Sequence, residues 1–262
     1  MTPAAGPTRP VALVTGGGRG IGRHIALRLA RDGFDLVLAD LEHPEFDATA
    51  ADIQALGRRG LAVRADVAQE DQVRRLVEQA VAQLRRVDLL VNNAAIVGPT
   101  ARVPDVARQD WDEVLAVNLT GPFLCAKAVL PAMIARRAGK VINIASIAGK
   151  IAYPWRSPYA VSKWGLIGLT QTLAAEMAEY NIQVNAVCPG PVAGPRMERI
   201  IRQRAAELGQ SAAEAEQFYL QRMALKRLVQ PDDVANLVAY LASPAGDNIT
   251  GQALEVTAGW GL

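Results

Sequence analysis

Seven short apolar runs recur along the chain, and they constrain its fold more than any other feature. They are Val11–Thr15, Leu36–Ala39, Leu61–Ala65, Asp88–Val91, Lys140–Ala145, Gln183–Cys188 and Ala253–Val256. Each is rich in Val, Leu and Ile and does not alternate with polar residues, as expected of strands buried on both faces. Between them the apolar spacing changes to three and four. Val73, Leu76, Val77, Ala80, Val81 and Leu84 form one such stripe, and Ile21, Ile25, Leu29 and Ala30 another. This strand–helix alternation predicts an α/β domain, a doubly wound parallel sheet with helices on both faces. A length of 262 residues fits one large domain. No repeat, low-complexity tract or linker follows residue 10, so residues 1–9 read as a loose tail and 10–262 as a single domain.

Composition removes several classes of function. There are 28 basic and 26 acidic side chains, a net charge of +2, and no Lys/Arg block, which argues against a nucleic-acid partner. Two cysteines, Cys125 and Cys188, exclude a disulfide framework, and with His24 and His43 they make a poor zinc set, so no metal is expected. No unbroken run of about 18 apolar residues predicts a membrane span. Met1–Pro10 carries three prolines and lacks a long apolar stretch, so no export signal is read there and the expected compartment is the cytoplasm.

The first run leads into Gly16-Gly17-Gly18-Arg19-Gly20-Ile21-Gly22 and then a helix. Glycines at a strand-to-helix turn let the backbone approach a pyrophosphate, and the helix offers free N–H groups and the positive end of its dipole. The second run ends at Asp40, 20 residues after Gly20, where an acid can bind adenosine ribose hydroxyls. A carboxylate there repels a ribose phosphate, so NAD is favoured over NADP. Arg19 points the other way, since it can pair with such a phosphate.

A second constellation is Tyr159-Ala160-Val161-Ser162-Lys163, which sets Tyr and Lys on one helix face. A free tyrosine is a weak base near its usual value of about 10. An ammonium about 4 Å away favours its phenolate by about 4 kcal/mol at an effective dielectric near 20. Ser146 lies 13 residues before Tyr159, at a strand's carboxyl end, where open α/β sheets bind ligands. The two histidines lie far from this region and support no histidine-based scheme.

These motifs together resemble the short-chain dehydrogenase/reductase family over residues 10–262. Thr15, Gly16, Gly20 and Gly22 match its glycine turn. Asn92, Asn93 and Ala94 match its Asn-Asn-Ala-Gly motif, with Ala95 replacing the glycine. Asp66 and Val67 match its adenine-contacting pair, and Pro189 and Gly190 its Pro-Gly. The resemblance implies a Rossmann fold and catalytic roles for Asn118, Ser146, Tyr159 and Lys163. Tyr159 would exchange a proton with the substrate oxygen, Ser146 would bind that oxygen, and Lys163 would tune the phenol and bind the nicotinamide ribose. Asn118 would anchor a water. It further implies cofactor contacts at Gly16, Arg19, Gly20, Ile21, Gly22, Asp40, Asp66, Val67, Asn93, Ala94, Tyr159, Lys163, Pro189, Gly190 and Val192. Val192 enters through its backbone, because Pro191–Met197 lacks the threonine the family often carries there.

The charged segment after Pro191 reads as a helical lid over residues 191–225. Substrate contacts are expected from Ser146, Trp155, Arg156, Tyr159 and Arg196, with Tyr153 and Trp155 as flat walls and the arginines as carboxylate binders. An inward arginine indicates a hydroxy or sugar acid. Otherwise a polyol, a cyclic alcohol or a 3-oxoacyl thioester fits, the last with NADPH. The apolar end around Trp260 and Leu262 is expected near an interface of the homotetramer that the resemblance implies, or docked on its own domain.

Overall fold

The computed structural model describes residues 9–41 and 45–262. Residues 1–8 of the expected tail, and His43, lie outside the described residues. Seven strands, β1 (Val11–Thr15), β2 (Asp35–Asp40), β3 (Gly60–Arg64), β4 (Leu89–Asn92), β5 (Gly139–Ile144), β6 (Ile182–Pro189) and β7 (Ala253–Val256), form one parallel sheet. The order is β3-β2-β1-β4-β5-β6-β7. Every expected run lies within one residue of a strand at each end. The helices are α1 (Gly20–Arg31), α2 (Glu45–Ala55), α3 (Glu70–Leu84), α4 (Arg108–Leu115), α5 (Gly121–Arg136), α6 (Ser157–Met177), α7 (Pro195–Leu208), α8 (Ala212–Gln221) and α9 (Pro231–Ala242).

The absence of alternation has a direct packing cause. Val11 and Leu13 pack toward α3 and α5, whereas Ala12 and Val14 pack toward α1 and α9, and all four are fully buried. A central strand therefore needs an apolar side chain at every position, and each large one contributes about 1.5–3 kcal/mol by leaving water. A π-helical turn, Ala116–Thr120, joins α4 to α5. The combined Arg108–Arg136 helix includes an 18-residue window of mean hydropathy 1.5, long and apolar enough on average to cross a membrane, although no unbroken apolar run exists. Half of that window is buried, and α5 packs on α3 and the sheet as a core helix.

Side-chain bonds fix the sheet's carboxyl edge. Thr15 Oγ1 accepts the N–H groups of Asn93 (3.0 Å) and Ala94 (3.1 Å), and Asn93 Nδ2 donates to the carbonyls of Thr15 and Gly16. These bonds cross the point between β1 and β4 where the strand order reverses. Deeper in, Asn92 Nδ2 donates to Asn143 Oδ1 (2.8 Å), and Asn143 Nδ2 donates to Thr170 Oγ1 (2.9 Å). This fully enclosed polar chain ties β4 and β5 to α6.

The turn after β5, Ile147–Gly149, presses on α6 so closely that a Cβ on Gly149 would sit 2.6 Å from the Lys163 carbonyl oxygen. Backbone cannot yield as a flexible side chain does. Gly149→Ala is therefore expected to cost about 1–3 kcal/mol of stability through overpacking. It should also lower turnover at least tenfold by parting Ser146 from Tyr159, as read by denaturant unfolding and steady-state rates. Unchanged values in both would show that the contact is slack.

Candidate active site

The glycine turn comes first because it opens the cleft. Gly16 (φ +62°) and Gly20 (φ +52°) adopt left-handed backbone, which favours glycine, and a Cβ at Gly22 would lie 2.0 Å from the Gly16 carbonyl oxygen. The turn can close only with glycine there. Nothing lies within 4 Å of a Cβ built on Gly20, so the loop faces open space. Helix α1 has no side-chain cap and no acidic residue in its first turn, which leaves its N–H groups and dipole to an anion. The residues present thus fit a dinucleotide. Asp40 accepts from Gly18 N–H (3.0 Å) and Leu41 N–H (2.9 Å), so its carboxylate is held beside the turn. Arg19 is exposed at the start of α1. Asp66 accepts from Ala68 N–H, and Val67 is buried against Gly121 at the end of β3.

Ile21 and Asn93 line a cleft that continues to the ends of β5 and β6 and holds a cavity of about 130 Å³. Ser146 stands where β5 runs out. Its Oγ accepts Ala148 N–H (3.1 Å), and no acceptor for its own proton is found among the described residues. Tyr159 and Lys163 enter from the first turns of α6. Lys163 is 2% exposed, donates to the Ile144 carbonyl (2.8 Å), and holds its Nζ 5.7 Å from the Tyr159 ring centre. Burial, and then the charge of Arg196, push its ammonium down to about 7. Burial likewise pushes the Tyr153 phenol up to about 12 and the Cys188 thiol up to about 11, so both are neutral neighbours. Pro189, Gly190 and Val192 close the β6 side, where Val192 pairs with Val229.

Asn118 lies in the π-helical turn and does not line the cleft. Its Oδ1 accepts Ile96 N–H (2.9 Å), and its Nδ2 donates to Ile96 O (2.9 Å) and Ser162 Oγ (3.1 Å). Ser162 Oγ in turn donates to the Tyr159 carbonyl (2.7 Å). Asn118 therefore braces the start of α6 against the segment after β4.

The expected substrate residues divide. Arg156 is buried and lines the cleft with Ser146 and Tyr159. Arg196 lies at the rim, its Nη2 donating to Ala95 O (2.9 Å). Trp155, expected as a wall, is not one. Its φ of +69° turns the side chain outward, half exposed, with the Arg102 guanidinium 4.9 Å from its ring centre. Tyr153, the other expected wall, does line the cleft, and Met197, Ile200, Tyr219 and Trp260 line it where Trp155 does not. Trp260 packs on Tyr219, ring centres 6.2 Å apart, so the chain's end docks on its own domain while Leu262 stays exposed. Tyr219 carried no signal in the sequence. Trp260 carried only its apolarity. Among the described residues no cluster of metal-ligating side chains occurs.

The short chain dehydrogenase profile matches residues 10–205. A short-chain dehydrogenase/reductase of Armillaria gallica is 41% identical, over 95% of both chains. The 3-oxoacyl-[acyl-carrier-protein] reductase of Staphylococcus epidermidis is 37% identical, covering 95% of this chain and 97% of its own. Among solved structures, actinorhodin polyketide ketoreductase with NADPH superposes with a TM-score of 0.92 at 36% identity, over 96% of this chain and 97% of that one. NAD+-bound xylitol dehydrogenase does so with a TM-score of 0.90 at 32% identity, over 94% and 97%. With that profile over most of its length and relatives matched end to end, the chain belongs to the short-chain dehydrogenase/reductase family of oxidoreductases.

Proposed function

We propose that the chain is a NAD(H)-dependent dehydrogenase of secondary alcohols and ketones, a range that includes polyols and hydroxy acids. The observation that carries this reading is the convergence of Ser146, Tyr159 and Lys163 on the cleft that Ile21 of the glycine turn lines, with Asp40 held beside that turn. The bound dinucleotide supplies or takes the hydride. The N–H groups of α1 would hold its pyrophosphate, Asp40 its ribose, and Asp66 and Val67 its adenine. Asn93, Ala94, Pro189, Gly190 and the Val192 backbone would flank its nicotinamide.

Ser146 donates its free proton to the substrate oxygen. Tyr159 gives that oxygen a proton in reduction and takes one back in oxidation. Lys163, when charged, favours the phenolate, and its amine would also hold the nicotinamide ribose. Asn118 has spent its amide on Ile96 and Ser162, so a relay water would rest on its backbone. The α7–α8 pair acts as a lid, held across the mouth by Arg196 on Ala95 O.

A second reading is an NADPH-dependent 3-oxoacyl thioester reductase. The names of the staphylococcal relative and of the NADPH-bound ketoreductase favour it, and Arg19 would meet the extra phosphate. Asp40 favours NAD(H), because a carboxylate beside that phosphate repels it. We also infer a cytoplasmic homotetramer. Free, buried Cys125 and Cys188 support the reducing compartment, and the exposed Phe123, Val161 and Trp164 on α5 and α6 support self-association.

Rates with NADH and NADPH, on simple ketones and on acetoacetyl-coenzyme A, test the assignment. NADH should exceed NADPH at least tenfold in kcat/KM, and Tyr159→Phe should lower kcat at least 100-fold while NADH still binds. A preference for NADPH with the thioester would transfer the assignment to the second reading. Light scattering should give the mass of four chains, and a monomer's mass would remove the tetramer.

Lys163 sets a pH dependence of stability. Its proton leaves near 7 in the folded chain and at the ordinary lysine value in the unfolded chain. Across that window the unfolded state binds more protons, so the penalty for burying this group is relieved as pH rises. Wild-type stability relative to Lys163→Met should climb by a few kcal/mol, in order of magnitude, between pH 7 and 10, as read by urea unfolding. A difference that is flat or falling with pH would contradict the burial of an ionisable Lys163.

A further inference from the structure

We propose that the substrate carries a carboxylate within a few bonds of the reacting carbon, and that Arg156 binds it. This rests on the dehydrogenase reading and names its substrate class, small oxo and hydroxy acids. Arg156 is 8% exposed, yet among the described residues its guanidinium has no hydrogen bond and no ion pair. A buried, uncompensated charge is one of the most destabilising features a fold can hold. Among the described residues four buried side-chain polar atoms lack partners, and none belongs to Arg156. Its nitrogens are therefore not sealed in protein. They open to the cleft that the residue lines.

Its position sharpens the argument. Arg156 is the N-cap residue of α6, and the first turn of that helix has no acidic side chain. The positive end of a helix dipole ordinarily attracts an anion, and here it meets a guanidinium instead. The described cleft lining adds Lys163 and Arg196 and contains neither Asp nor Glu. Arg196 spends one of its five donors on Ala95 O, whereas Arg156 keeps all of its donors open among the described residues. A guanidinium offers two parallel N–H groups to a carboxylate. Arg156 precedes Tyr159 by three residues, so their backbones lie about one helical turn apart, and both line the same cleft. A carboxylate on Arg156 thus sits near the carbon whose oxygen meets Tyr159. The acyl chain of a carrier thioester, uncharged next to its reacting carbonyl, would leave this cation bare.

The test compares acetoacetate and 4-oxopentanoate with their methyl esters, using NADH and NADPH, on wild type, Arg156→Met, Arg156→Lys and Tyr159→Phe. Calorimetry with malonate and NAD+ is run beside it as a readout that needs no turnover. Wild type should favour acid over ester by at least 50-fold in kcat/KM. Arg156→Met should shrink that ratio at least tenfold, mainly through KM, and Arg156→Lys should restore part of it. Malonate should bind wild type saturably and Arg156→Met at least tenfold more weakly. Esters reduced as well as acids, a ratio unmoved in Arg156→Met, or no saturable malonate binding would each overturn the proposal. Malonate binding intact, with no carbonyl compound reduced by either nucleotide, would keep the anion site and sink the dehydrogenase reading. Turnover of esters lost in Tyr159→Phe, with no acid preference in wild type, would do the reverse.

Discussion

Parallel strands bring all their carboxyl ends to one edge, and the bonds between Thr15 and the Asn93–Ala94 backbone hold that edge together where it would otherwise part. At this point the chain leaves β1 for one side of the sheet and β4 for the other, so the crossovers open a gap between them. Asn93 bridges the gap with two donated bonds to the carbonyls of Thr15 and Gly16. The same bonds set the glycine turn, and the turn sets where α1 points its N-terminus. Loss of this bridge would unfix the turn and the cleft together, without removing any residue that meets a substrate.

A second frame holds α6. The Asn92–Asn143–Thr170 chain fixes its middle to the sheet, while Asn118 and Ser162 fix its first turn. Buried polar chains of this kind tie together the elements they join, although Asn92 Oδ1 has no partner among the described residues. Here they keep Tyr159 and Lys163 at the end of β5, so Ser146 needs only its own short turn to reach them. The π-helical turn earns its place in this frame by rotating Asn118 inward from a helix that is otherwise regular.

The sheet was legible in the sequence because a doubly covered parallel strand leaves an unbroken apolar run, a local pattern. The glycine turn and the Ser146, Tyr159 and Lys163 set were legible because each depends on short spacings at strand ends or along one helix. Trp155 was misread because sequence does not reveal its backbone conformation, and the left-handed φ decides which way its ring turns. Met197, Ile200, Tyr219 and Trp260 were not legible as one wall. They come from three segments that meet only after α7, α8 and the chain's end have packed together. Asn118 was legible as a position but not as a brace, since its partners, Ile96 and Ser162, lie on other elements.

The electrostatics of the cleft join these parts. Lys163, Arg156 and Arg196 share it, and the described lining supplies no carboxylate. Burial and the charge of Arg196 both push Lys163 toward its neutral form, which is the form least able to favour a phenolate at Tyr159. Any anion entering the cleft reverses that push, because a nearby negative charge raises the affinity of the amine for its proton. A carboxylate on Arg156 and a pyrophosphate at α1 would both act in this direction, the nearer more strongly. Ligand binding and the charge on Lys163 would then be linked: filling the cleft with anions favours the ammonium, which the empty protein holds only in part near neutral pH.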